Sequence, residues 1–140
     1  MEKLLHYVWK HKLFPTQPLY TTDGQPLEII DTGLHNTNAG PDFFNAKIKI
    51  GGNIWVGNIE IHDRSSDWFA HNHHRDDHYN NVILHVAEAV DTDVKTANHL
   101  TPPQLQLTVP PLIAQHYTEL LETDDYPHHI SLVKNLFIKH

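Results

Sequence analysis

Apolar positions recur with a helical period at the start of the chain and switch to alternation in its middle. Over residues 2–14, Leu4, Leu5, Val8 and Trp9 fall on one stripe and Pro15 closes the run, which predicts an opening helix. The β-prone runs Leu19-Tyr20-Thr21-Thr22 and Leu27-Glu28-Ile29-Ile30 flank Asp23-Gly24, a hairpin signal. Residues 32–40 are polar and Gly/Asn-rich and predict a loop. Over residues 42–50, Phe44, Ala46, Ile48 and Ile50 alternate with Phe43, Asn45, Lys47 and Lys49, the pattern of a half-buried strand. Gly51-Gly52 turns the chain and residues 53–62 return as its partner. Residues 66–79 are polar, with Trp68 and Phe69 as anchors and a short helix capped by Ser65 or Ser66. A strand buried on both faces is predicted over residues 82–90, a loop over 91–103 and a short strand over 104–109. Pro110-Pro111 then opens a helix carrying Leu112, Ile113, His116, Tyr117, Leu120 and Leu121, and a last helix is predicted over about 130–138. Strands in the middle and helices at the ends predict one α/β domain over residues 1–140, a mixed sheet flanked by helices.

Composition bounds this picture. A chain of 140 residues buries about two-thirds of its unfolded surface around one core. With 39% apolar and 19% charged residues it has an ordinary globular balance. No apolar run approaches the roughly 20 residues of a membrane helix, and residues 1–15 lack a signal-peptide core. The absence of cysteine excludes disulfides and thiolate metal sites. A cytoplasmic protein without membrane contact is the expectation. The net charge of −7 argues against a module that coats nucleic acid, because such affinity rests on neutralised phosphates. It leaves room for a nuclease whose metal ions supply positive charge.

The 14 histidines are the compositional anomaly, and His62, His71, His73, His74 and His78 crowd a short stretch. The candidate chemistry lies between Pro41 and His85. Glu60 and His62 project together from one strand, since residues i and i+2 share a face. Asp42 begins the neighbouring strand, so the Gly51-Gly52 turn returns the chain beside it. Two carboxylates at a strand end can hold a hard cation such as magnesium or manganese, which polarises a phosphoryl oxygen. Register decides the geometry. A two-residue turn pairs Ile50 with Asn53 and sets Asp42 opposite Ile61, on the face of Ile59 and Ile61. A three-residue loop or a single bulge shifts the pairing by one and puts Asp42, Glu60 and His62 on one face. Gly51, Gly52 and Gly57 are the candidate positions for that bulge.

Pro41-Asp42 followed by Glu60-Ile61-His62, on a helix–strands–helix–strand order over residues 1 to about 90, resembles the PD-(D/E)XK phosphodiesterase superfamily. That resemblance implies a restriction-endonuclease-like fold, a nucleic-acid substrate and Asp42 and Glu60 as ligands of magnesium or manganese. His62 stands where that superfamily carries lysine, a departure, because imidazole is shorter and often neutral at pH 7. Glu2 on the first helix is a further carboxylate that some nucleases of this fold would use, although a solvated helix-start Glu is the simpler expectation. Dimeric nucleases are common in the superfamily, so a homodimer partner is also implied. The strings GPDFFNAKIKI, GNIEIH and HYNNVILHV, with the Asp67-Trp68 pair and His71-x-His73, resemble a bacterial family known only as a domain of unknown function. Members of that family are longer, which implies that this chain corresponds to their N-terminal portion and that a C-terminal region completes it.

The histidine cluster carries its own expectation: a metal or phosphate site from His71, His73, Asp77 and His78 beside Glu60 and His62. His71 and His73 share a face only on a strand, His74 and His78 only on a helix, and a polar surface loop is the better expectation for His74 and His78. His85 lies in an apolar strand, where a hydrogen-bonded core histidine is at least as good an account. Trp55, Trp68, Phe43 and Phe44 are expected in the core. Asn45 and Asn58 are expected to order the surroundings of the site. Three functions follow: a metal-dependent phosphodiesterase using Asp42, Glu60 and His62; a cupin-like barrel with His62, His71 and His73 converging inside; and a non-catalytic interaction domain of a longer protein.

Overall fold

Helix α1 (Glu2–Lys10) buries Leu4, Leu5, Tyr7, Val8 and Trp9 against the sheet. A helix of nine residues is marginal alone. Burying each large apolar side chain adds about 1.5–3 kcal/mol, so packing holds it. It ends before Pro15 because Lys12 turns left-handed (φ 54°). Lys12 N–H then donates to the Trp9 carbonyl and Leu13 N–H to that of Val8, a Schellman cap. The computed structural model describes residues 2–116 and Glu119. The helix predicted over 130–138 lies outside them, as do Tyr117, Leu120 and Leu121.

The strands are β1 (Leu19–Tyr20), β2 (Pro26–Asp31), β3 (Leu34–His35), β4 (Phe43–Ile50), β5 (Asn53–Arg64), β6 (Val82–Ala89) and β7 (Gln104–Gln106). They form one mixed sheet in the order β1-β2-β4-β5-β6-β7, with β3 pairing β4. Pairing is antiparallel up to β5 and parallel for β5–β6 and β6–β7. The sheet curls until its edges approach: Thr22 N–H beyond β1 donates to the Gln104 carbonyl on β7 at 2.8 Å. The architecture is therefore a mixed α/β fold with a nearly closed, barrel-like sheet and few helices. That is a coarser result than the restriction-endonuclease-like sheet flanked by helices expected above. β3 falls within the predicted 32–40 loop, and α2 (Asp67–Ala70) and α3 (Pro111–Gln115) are short.

The main core lies between α1 and one face of the sheet: Ala46, Ile48, Ile59, Ile61, Leu84 and Val86 pack with the helix residues. The opposite face of β5 and β6 carries Glu60, His62 and His85, covered by Trp68 of α2 in a second cluster with Tyr79, Val82 and Val94. β6 is thus buried on both faces, as its apolar run predicts. Two expectations about aromatics change. Phe43 and Trp68 are fully buried, but Phe44 is half-buried and Trp55 is 52% exposed.

Candidate functional site

The register question is settled by a bulge on β4. Ile50 pairs with Asn53 and Ala46 with Gly57, but Phe43 pairs with Ile59, so β4 holds one extra residue between Phe43 and Ala46. The strained residue is Asn45, at φ 57°, and not one of the glycines proposed from sequence. Asparagine tolerates this left-handed region better than most residues. Its N–H is satisfied by Asn58 Oδ1 at 3.3 Å, so the two asparagines close the bulge together. Gly33 packs against it: a Cβ there would lie 2.6 Å from the Phe44 carbonyl oxygen. The bulge sends Phe43 into the core in place of Phe44 and turns Asp42 toward Glu60.

Asp42 and Glu60 interlock. Asp42 N–H donates to Glu60 Oε1 at 3.2 Å, and Ile61 N–H donates to Asp42 Oδ2 at 2.8 Å. α1 completes the group. His6 Nε2 lies 3.4 Å from Asp42 Oδ2 and 3.9 Å from Glu2 Oε1, without an aligned hydrogen-bond partner. Ligand atoms of Glu2, His6 and Asp42 all fall within 4.8 Å of one another. Glu2 is therefore at the site rather than a remote solvated residue. Burial pushes the Asp42 carboxyl up, but His6 and the hydrogen bonds from Glu60 and Ile61 outweigh it and hold it below its ordinary value. Burial, reinforced by the charge of Asp42, drives the Glu60 carboxyl well above the ordinary range. Burial raises Glu2 as well. Beside Asp42 opens a cleft of about 430 Å³ lined by Lys3, His6, Lys10, His35, Asn36 and Asn38. A larger cleft of about 850 Å³, bordered by Trp55, Asn80 and Leu100, contains neither Asp42, Glu60 nor the clustered imidazoles.

On its other side Glu60 meets imidazoles. Glu60 Oε2 lies 2.7 Å from His73 Nε2 and 3.3 Å from His62 Nε2. The rings of His62, His71 and His73 sit 5.2–5.6 Å apart, centroid to centroid. His71 and His73 come from the crossover that parallel pairing of β5 and β6 requires. They share a side without being on a strand, because Asn72 between them turns left-handed at φ 60°. Asp77 and His78 stay away from this group. His78 pairs with Asp76 at 2.7 Å on the surface, and Asp77 accepts from Asn80. His74 packs on Phe69.

A buried relay fixes the tautomer of His62. Gln104 Nε2 donates to the Thr92 carbonyl at 2.9 Å, which turns Gln104 Oε1 toward His85 Nδ1 at 2.9 Å. His85 Nδ1 must then carry the proton, so His85 Nε2 accepts from His62 Nδ1 at 2.7 Å. The remaining lone pair of neutral His62, on Nε2, faces Glu60 and the other imidazoles. Burial, and then the neighbouring imidazoles, hold His62 down at about 3 and His73 at about 4. His85 is held at about 4 by burial, against the opposing pull of Gln104. All three are neutral at pH 7.

Sequence reasoning missed Gln104 and the tether of the crossover. Ser65 Oγ and Ser66 Oγ donate to Asp91, and Ser65 Oγ accepts from the N–H groups of Asp91 and Thr92. The alternation over residues 104–109 groups Gln104 with the exposed Gln106 and Thr108, so it gave no signal that Gln104 is buried. Nothing local marked Ser65 and Asp91 as partners.

No curated protein and no solved structure matches the chain. Among the described residues, no helix is long and apolar enough to cross a membrane. A family model described as "Protein of unknown function (DUF2851)" matches residues 2–138. With nearly its whole length so matched, from α1 through the bulge and the histidine crossover, the chain belongs to the DUF2851 family.

Proposed function

We propose that the chain is a metal-dependent phosphodiesterase acting on nucleic acid, with Asp42 and Glu60 at its centre. The observation that carries this reading is the Asn45 bulge, which joins Asp42 to the buried Glu60 where Asp42 lines a cleft, with the α1 residues Glu2 and His6 beside Asp42. Interlocked carboxylates with Glu2 and His6 beside them form an oxygen-rich donor set that suits magnesium or manganese. Such a cation, when bound, supplies charge for a phosphoryl oxygen and lowers the pKa of a water. Asp42 lines the cleft, while Glu60 spans from Asp42 to the imidazoles. Lys3 in the cleft wall supplies positive charge for a phosphate.

His62 does less than the lysine it replaces. It is 1% exposed and neutral, so it carries no charge to a transition state. Its Nε2 lone pair, 3.3 Å from Glu60 Oε2, instead helps to position that carboxyl. This one observation favours the second reading, a non-catalytic interaction domain. The cupin-like alternative loses ground because the imidazoles converge on the face opposite the main core, not within it.

Cleavage of labelled single- and double-stranded DNA and RNA in manganese separates these readings. Turnover abolished by Asp42→Asn, with an unchanged unfolding midpoint, is the expected result. Cleavage unaffected by that variant would sink the assignment, and no cleavage of any substrate would favour the interaction domain.

A further inference from the structure

The imidazole group next to Glu60 has the marks of a separate ligand site. Nitrogen atoms of His62, His71 and His73 lie within 4.8 Å of one another. His73 is 7% exposed, yet its Nε2 has no aligned hydrogen-bond partner. Its 2.7 Å contact with Glu60 Oε2 points donor and acceptor past each other rather than along a hydrogen bond. A buried polar atom is rarely left so in a folded protein without a reason. Glu60 Oε2 and His73 Nε2 are thus close enough to meet at a common third atom. The relay from Thr92 through Gln104 and His85 presents His62 Nε2 as a lone pair, the form a metal needs. A hydrogen bond on the far nitrogen of a ligating imidazole is the usual support of such sites.

We propose that His62, His71 and His73 form a transition-metal site of the zinc class, distinct from the carboxylate site at Asp42. Imidazole donors suit zinc, cobalt and nickel, whereas oxygen donors suit magnesium and manganese. Three imidazoles leave one tetrahedral position for water or for the adjacent Glu60 carboxylate. His71 is exposed and sets the open side of the site. The relay residues His85 and Gln104 touch no metal and act as positioning residues. The site stands independently of the phosphodiesterase reading, since it needs neither Asp42 nor Glu2. If both hold, Glu60 is shared between two unlike metal positions.

The test uses the full chain without an affinity tag, stripped by chelator and titrated with cobalt(II) alone, then with zinc(II) alone as competitor. The expected result is one equivalent of cobalt bound with intense visible absorption of tetrahedral type, displaced by zinc. His71→Ala, exposed and so safe for folding, is expected to weaken binding at least tenfold and to remove that absorption. Asp42→Asn is expected to leave both unchanged. Gln104→Leu, which breaks the relay without removing a ligand, is expected to weaken binding 10- to 100-fold. Absence of tetrahedral cobalt in the wild type, or its persistence in both His71→Ala and His73→Ala, overturns the site. Loss of manganese-dependent cleavage in Asp42→Asn with the cobalt spectrum intact separates the fate of this proposal from that of the phosphodiesterase.

Discussion

Asn45 is the residue on which the candidate site turns. Its left-handed backbone moves Asp42 from the side of Ile61 to that of Glu60. Asn45→Gly is expected to keep the register. Asn45→Val is expected to cost about 1–2 kcal/mol in chemical denaturation, because a β-branched residue resists φ above zero. The carboxylates and His62 were legible in the sequence from their i, i+2 spacing and the hairpin that joins them. The bulge position was not, because glycine is the usual signal for positive φ and here an asparagine, held by Asn58, takes that role. The buried imidazoles also set a pH dependence. His62, His73 and His85 stay neutral when folded, with values of about 3, 4 and 4 against an ordinary 6.5. Unfolding lets them bind protons, so stability is lost as pH falls below 6.5. Glu60 has the opposite sign. It keeps its proton in the metal-free fold and releases it on unfolding, so stability is lost as pH rises above 4.5. Where the two overlap, three imidazoles outweigh one carboxyl. Urea midpoints of chelated protein should peak at about pH 7 and fall on both sides. A midpoint that climbs steadily as pH drops to 5 contradicts this account.

At the scale of elements, the crossover between β5 and β6 delivers His71 and His73, and its ends are tied by Ser65, Ser66 and Asp91. The hydrogen bonds from Ser65 and Ser66 hold the Asp91 carboxyl down at about 2. The strands of the hairpin and the long β4–β5 pair were readable from alternation. β3 was not, since two residues carry no periodicity. The convergence of His71 and His73 escaped a strand-or-helix choice because Asn72 breaks both patterns. Gln104→Leu tests the packing behind this element. It strands a buried His85 N–H, which should cost about 1–3 kcal/mol. Gln104→Glu keeps an acceptor for His85 but faces the Thr92 carbonyl, and should fall between Leu and wild type. Gly33→Ala, whose Cβ would meet the Phe44 carbonyl, should destabilise the loop over 32–40 and weaken metal binding at Asp42 together.

The whole molecule carries a formal charge of −7, yet Lys3 lines the same cleft as Asp42. Long-range attraction to a polyanion is therefore weak, and on the phosphodiesterase reading proposed above affinity comes from the cleft and a bound cation. Lys3 corresponds to about one neutralised phosphate, so binding to duplex DNA should fall with a log–log salt slope of about −0.9. Lys3→Ala should bring that slope close to zero. The mixed α/β class was legible from strands in the middle of the chain, but the curl that brings β7 to Thr22 was not, because sheet closure depends on twist and long-range pairing. The central claim, that Asp42 and Glu60 form a metal site, is tested most directly by manganese calorimetry. The His71→Ala background keeps the imidazole site from contributing. Binding of manganese that disappears on adding either Asp42→Asn or Glu60→Gln, with folding intact, is the expected result. No binding before those substitutions, or binding that survives both, contradicts the claim.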